Sequence, residues 1–170
     1  MNMELSQPKQ FKFERHSDQR GFFSRCWSES AMRGIGGLPE ASEVSFSWNP
    51  EAYTLRGMHL LKHPCQEQKA VFVVQGKIQD VQIDVRAGSE TAYKHSSVIL
   101  EAGNGVLIPP QFAHGFLTLE PNTQLLYIMS SPYYPESEAA INFADPKIGI
   151  SWVAEPRVIS MRDANHPLIL

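Results

Sequence analysis

An all-β fold, an antiparallel sandwich or barrel of the jelly-roll kind with few and short helices, is what this sequence predicts. Three observations carry the expectation: apolar and polar residues alternate in many short runs, glycine and proline punctuate the runs at close intervals, and helical periodicity is nearly absent. At 170 residues and 42% hydrophobic content, the chain fits one domain spanning 1–170 with a sizeable core.

Residues Phe11-Lys12-Phe13-Glu14-Arg15 alternate like a half-buried strand and stop at Ser17-Asp18-Gln19, a turn composition. Residues 20–27 resume as a strand with Phe23 and Arg25 on one face, because the side-chain period is two. Residues 28–37 suit one short helix, with Ser28 or Ser30 as its cap and Gly34, Gly36 and Gly37 as its stop. Residues 43–49 alternate again. Between Leu55 and Gly76 two apolar runs are joined by a polar connection through Pro64, the first run holding His59 and the second opening on Lys69. Residues 77–86 put Ile78, Asp80, Gln82 and Asp84 on one face and Val81, Ile83 and Val85 on the other, which reads as one polar and one buried face. Further short strands are expected at 96–100, 106–109, 115–119 and 124–129. The proline-richer tail from Pro132 is expected to lie over the body.

The net charge of -3 provides no global basic field, which argues against nucleic acid or an anionic membrane as partner; an anionic ligand must be held by local cations. No window approaches the ~18 to 20 continuous apolar residues of a membrane helix. Cys26 and Cys65 form no Cys-x-x-Cys pair and the polar start carries no secretory signal, so the cytoplasm is the expected compartment.

A metal site in a β-barrel usually draws two histidines from one strand face as His-x-His, with a carboxylate soon after. Here the pattern is His59-x-x-x-His63, with Pro64 following and Lys69 placed to repel a cation near Glu67, so no metal is expected. His59, Lys69 at the mouth of the apolar run 71–74, and His114 after the rigid Pro109-Pro110 turn are more informative as a set than singly.

In their order these residues resemble the dTDP-4-dehydrorhamnose 3,5-epimerase family, a cofactor-independent group with a cupin-like jelly roll. The matching segments are Asp18-x-Arg20-Gly21-Phe22-Phe23, Leu55-Arg56-Gly57-Met58-His59, Gln68-Lys69, Ile108-Pro109 with Phe112-Ala113-His114-Gly115-Phe116, Tyr133, Asp145-Pro146 with Ile148-Gly149-Ile150-Ser151-Trp152, and Ser160-Met161-Arg162-Asp163. The resemblance implies an antiparallel cupin-like barrel, a homodimer, no cofactor, and a nucleoside-diphosphate 4-keto-6-deoxy sugar as substrate. It implies His59 as general base, Asp163 as the carboxylate paired with it, Lys69 as the cation beside the ketone and Tyr133 as the acid on the opposite face, with Tyr134 the alternative acid in Pro132-Tyr133-Tyr134-Pro135. Arg20, Arg56 and His114 fall on binding positions, the arginines facing the diphosphate, and Phe23 is placed to stack on the base.

The chemistry agrees with that set. A 4-keto sugar has acidic C–H bonds at C3 and C5, because the carbanion delocalises onto the ketone oxygen. A neutral imidazole removes such a proton near neutral pH, and a carboxylate behind it fixes the tautomer. A fixed ammonium stabilises the growing oxyanion, a contribution of roughly 3 to 4 kcal/mol for one good donor.

Two departures concern the nucleotide: Arg25 stands where relatives carry glutamate, and Ser45-x-Ser47 where they carry Gln-x-Asn. Arginine has donors only and cannot accept the N3–H of thymine or uracil, whereas cytosine and guanine offer it acceptors; CDP or GDP is therefore expected in preference to dTDP. Two other functions compete with an epimerase. A non-catalytic sugar-binding module would not need His59, Lys69 and Asp163 together, and a metal-dependent oxygenase of the same fold would need the missing His-x-His.

Overall fold

The computed structural model describes residues 6–37, 40–62 and 64–169, so His63 lies outside the described residues. One sheet has the strand order β1 (Lys9–Lys12), β9 (Asn104–Ile108), β6 (Lys69–Gln75), β11 (Thr123–Met129) and β4 (Glu43–Asn49). The other runs β12 (Glu138–Ala140), β5 (Thr54–Leu61), β10 (Phe112–Thr118), β7 (Lys77–Asp84) and β8 (His95–Glu101), with β13 (Val158–Ile159) joining β5 in parallel. A separate hairpin pairs β2 (Arg15–Asp18) with β3 (Gly21–Ser24). The helices are short: α1 (Glu29–Ile35), α2 (Met161–Ala164) and a 3-10 turn at Pro135–Ser137.

The alternation of side chains along each strand produces three apolar layers. Val71, Val73, Ile78, Leu100, Phe112, Phe116 and Leu125 meet between the sheets. The intervening residues of the five-stranded sheet, Ala70, Phe72 and Ile128, bury against Met32 of α1 and against Phe11, Phe13 and Trp27. On the far side, Met58, Val81, Ile83 and Ala113 are covered by Ile141, Ile148, Phe143 and Trp152 of the C-terminal segment. Both faces of β6 and β10 are thus buried over most of their length, which is why these two strands read as largely apolar runs. The tail lies over the body, as its composition suggested.

Helix α1 begins at Ser28, whose Oγ accepts from the Ala31 N–H, and ends at Gly36 with φ of 108, a left-handed conformation that donates its N–H to the Met32 and Arg33 carbonyls. Two expectations need correction. The first strand ends at Lys12 rather than Arg15, because Phe11 and Phe13 both turn onto Phe72, at ring-centroid distances of 5.0 and 4.4 Å, and the chain then leaves the sheet for the β2–β3 hairpin. The polar face of β7 is not solvated. Asp80, Gln82 and Asp84 are all buried, since β7 lies inside its sheet with that face turned into the barrel. Each finds partners: Asp84 pairs with Arg86 at 2.6 Å and accepts from Ser89 and Thr91, and the Arg86 hydrogen bond leads in holding its carboxyl well below the usual carboxylate range.

Candidate active site

On a regular strand Arg56 and His59 would face opposite ways, being three residues apart. Strand β5 instead carries a register shift: His114 pairs with His59 and Phe116 with Arg56, so two steps on β10 match three on β5. Glycines make the irregularity possible. Gly57 has φ of +134, and a Cβ there would stand 2.5 Å from the Gly115 Cα. Arg56 and His59 consequently line one cavity of about 550 Å³, together with Lys69, His114, Tyr127 and Asp163.

Asp163 reaches β5 from the far end of the chain because β13 pairs along it, Val158 beside Thr54 and Ile159 beside Leu55, and leads directly into α2. Ser160 caps that helix, its Oγ accepting from the Asp163 N–H at 3.0 Å. Asp163 Oδ1 then lies 2.8 Å from His59 Nε2, while Oδ2 accepts the Gly57 N–H at 3.2 Å. Burial works to raise the Asp163 carboxyl, but the hydrogen bond and charge of His59 and the Gly57 N–H outweigh it, and it stays ionised below its ordinary range. His59 is pulled the other way: burial lowers its pKa, and Asp163 restores only part of the loss. An ionised carboxylate only accepts, so the neutral ring donates from Nε2 and keeps its Nδ1 lone pair free.

Lys69 opens β6 with its Nζ 3.0 Å from Glu67 Oε1, both groups largely buried. A second imidazole–carboxylate pair lies on the same wall: His114 Nε2 is 2.8 Å from Asp80 Oδ2, and Gln82 donates to the other Asp80 oxygen. Arg56 is steadied by Nε donation to Asn49 Oδ1 at 2.8 Å. The Tyr127 phenol, pushed up to about 12 by burial, hydrogen-bonds the Ser47 hydroxyl at 3.2 Å. A smaller cavity of about 280 Å³ adjoins the first through His59, Lys69 and Tyr127 and extends to Ser45 and Tyr133. The Tyr133 hydroxyl donates to Glu138 Oε2 at 2.6 Å, a bond that raises its pKa, and Glu138 is paired on its other oxygen with Arg162. Tyr134 lines neither of these two cavities.

His59, Lys69, Asp163, Arg56 and His114 therefore meet around one space, Tyr133 and Ser45 in its extension, and Ser47 one hydrogen bond behind. Arg20, Phe23 and Arg25 do not join them. They belong to the exposed β2–β3 hairpin and the residue after it, line neither cavity, and Arg20 pairs with Asp18 at 2.6 Å. Sequence reasoning missed Asp80, Tyr127, Glu138 and Arg162 as site residues. Asp80 had a signal, a carboxylate sharing one face of an alternating strand with Ile78; the others had none beyond falling near motif residues.

The sequence pattern of the dTDP-4-dehydrorhamnose 3,5-epimerases matches residues 2–170. The chain belongs to that family. An epimerase of this family from Sinorhizobium fredii is 33% identical over 172 residues, 98% of this chain and 87% of the relative. Among solved structures, the dTDP-6-deoxy-D-glucose-3,5-epimerase of Legionella pneumophila in complex with dTDP-4-keto-L-rhamnose is similar with a TM-score of 0.88 at 30% identity, covering 99% of this chain and 90% of that one. A 3'-monoepimerase from Streptomyces bikiniensis in complex with dTDP-quinovose has a TM-score of 0.86 at 30% identity, covering 97% and 86%. The dTDP-4-dehydrorhamnose 3,5-epimerase family thus supplies the jelly-roll fold and the reaction class, and this protein is an isomerase acting as a nucleotide-sugar epimerase. Among its described residues no helix is long and apolar enough to cross a membrane.

Proposed function

We propose that this epimerase inverts C3, C5 or both of a nucleoside-diphosphate 4-keto-6-deoxyhexose, with His59 removing the proton alpha to the ketone. The observation that carries the reading is the 2.8 Å His59–Asp163 pair on the wall of a cavity that Lys69 also lines. The carboxylate keeps the proton on Nε2, so Nδ1 is the base; Lys69 stabilises the oxyanion as the C–H bond breaks; Tyr133 returns a proton from the other side. Glu138 supports that last role by keeping the phenol protonated until a stronger base, the carbanion, takes its proton. The test is incubation with several 4-keto-6-deoxy sugar nucleotides in deuterated water, following C3 and C5 by NMR. Deuterium is expected at one or both carbons, and exchange at the solvent background with every sugar would leave a sugar-binding module in its place.

The same assay separates acid from base. Tyr133→Phe is expected to retain proton exchange while net inversion falls, because His59 can still remove a proton and return it to the same face. Equal loss of exchange in Tyr133→Phe and in His59→Ala would remove Tyr133 from the acid role.

We also infer a homodimer. The outward face of the edge strand β4 carries Val44, Phe46 and Trp48 at 62%, 58% and 56% exposure, an apolar stripe too continuous for a solvated edge. A second copy is also what would bring Arg20, Phe23 and Arg25 to a cavity, since their own chain does not. In that arrangement Arg25 is where base choice departs from the thymidine nucleotides of the relatives: CDP or GDP is expected to bind more tightly than dTDP by calorimetry, and Arg25→Glu to reverse the order. Tightest binding of dTDP, unchanged by Arg25→Glu, would place base choice elsewhere. The unpaired thiols Cys26 and Cys65 support the cytoplasm as its compartment.

A further inference from the structure

Behind the proposed base stands a second imidazole that epimerisation does not use. His166 follows α2, and its Nε2 lies 3.5 Å from Asp163 Oδ1, the oxygen that His59 Nε2 meets at 2.8 Å. The His166 nitrogen is buried and has no hydrogen-bond partner, because its approach to the carboxylate lacks hydrogen-bond geometry. The two rings stand edge to face, centroids 5.9 Å apart at 85°. One ligand atom each from His59, Asp163 and His166 thus lies within 4.8 Å of the others.

Two imidazole nitrogens and one carboxylate oxygen form a donor set for a borderline transition ion, and not for Mg²⁺ or Ca²⁺, which take oxygen ligands. Bonds of about 2.0 to 2.2 Å in a tetrahedral site put neighbouring ligand atoms ~3.3 Å apart. The two separations from Asp163 Oδ1, 2.8 and 3.5 Å, bracket that spacing, and the two ring nitrogens lie within 4.8 Å of each other. The Gly57 N–H fixes Asp163 Oδ2 and leaves Oδ1 for the ion, the outer support that ligating carboxylates usually have. The cations beside the site are already neutralised, Lys69 by Glu67 and Arg162 by Glu138. The repulsion that argued against a metal near Lys69 in the sequence is therefore compensated here.

We propose that His59, Asp163 and His166 form an inhibitory site for Zn²⁺ or a like transition-metal ion. The ion takes the Nε2 lone pair of each neutral ring and Asp163 Oδ1. On His59 the single ring proton moves through solvent from Nε2 to Nδ1; no proton is gained or lost, but the nitrogen facing the cavity becomes a donor and the base is gone. Binding stands on the geometry alone, whereas inhibition rests on the function proposed above.

Zinc chloride titrated calorimetrically into the full chain is expected to bind one ion per chain at this site, with magnesium chloride giving no comparable heat. Cobalt chloride is expected to give the visible bands of a low-coordinate histidine site. His166→Asn, with His166→Gln as a second variant should the first fold poorly, is expected to weaken zinc binding at least about tenfold, since losing a ligand costs no less than losing an outer partner. In the deuterium assay zinc should stop the wild type reversibly, a chelator should restore it, and His166→Asn should turn over normally without zinc and resist inhibition. Absence of saturable zinc binding, or binding and inhibition unchanged in both His166 variants, would overturn the proposal. If no sugar exchanges at all, the functional reading fails, while calorimetry still decides the site.

Discussion

Replacing His59 by alanine should reduce deuterium exchange at C3 and C5 by at least about 10³-fold, within the range that positioned general bases contribute. Among the described residues lining the cavity the other imidazole, His114, is no substitute, since its Nε2 is committed to the buried Asp80 and its ring is tilted beside Phe116. The fold should tolerate the change, because His59 is half-buried and its backbone pairing with His114 and Ala140 does not depend on the side chain. Exchange within tenfold of wild type in a folded His59→Ala protein would remove the imidazole from the reaction.

The same residue sets a pH limb whose direction follows from its surroundings. Burial disfavours the imidazolium and lowers the pKa of His59, and Asp163 works against that by favouring the charged form. The base is active when neutral, so kcat/KM should be level near neutral pH and fall only below the ordinary imidazole value of about 6.5. Asp163→Asn removes a contribution that raises the pKa, so its acid limb should move to still lower pH while the plateau drops. A limb that stays in place would mean that Asp163 acts on something other than the charge of His59.

How much of this was legible beforehand follows from what each residue's position depends on. The strand 43–49 was readable in full, because alternation with one apolar face is a local property, while the cap of α1 was narrowed only to Ser28 or Ser30, of which the structure takes Ser28. His59 and Lys69 were singled out from residue type and setting, yet their convergence needed the β5 register shift, which depends on Gly57 meeting Gly115 from a strand some sixty residues away. Asp163 entered only through resemblance, and no pattern in the chain foretold that a two-residue parallel strand would carry it to β5. The polar face of β7 misled for the opposite reason. Alternation says which residues share a face, but not whether water or another strand lies opposite, and Asp80 and Asp84 are buried because their partners arrive from elsewhere in the fold.

Lys69→Met should lower the rate of exchange by about 10² to 10³, the usual cost of losing one fixed electrostatic donor at a developing oxyanion. The single variant has a second effect that must be separated from the first. Glu67 is largely buried, its ion pair with Lys69 spans 3.0 Å, and removing one partner of such a pair leaves a charge without its counterion, which typically costs about 3 to 5 kcal/mol of stability. Glu67→Gln added to Lys69→Met removes that uncompensated charge. If Lys69 stabilises the enolate, the double variant should recover most of the melting temperature lost by the single one, and its kcat should stay as low. If instead Lys69 serves only to neutralise Glu67, stability and activity should return together. Lys69→Arg extends the argument: it keeps the charge and can keep the pair with Glu67, but a planar fork cannot put a compact ammonium where the ketone oxygen becomes anionic. Its stability should stay near wild type while its exchange rate falls well below. Near-normal exchange in that variant would mean that positive charge alone, and not its placement, is what the reaction takes from position 69.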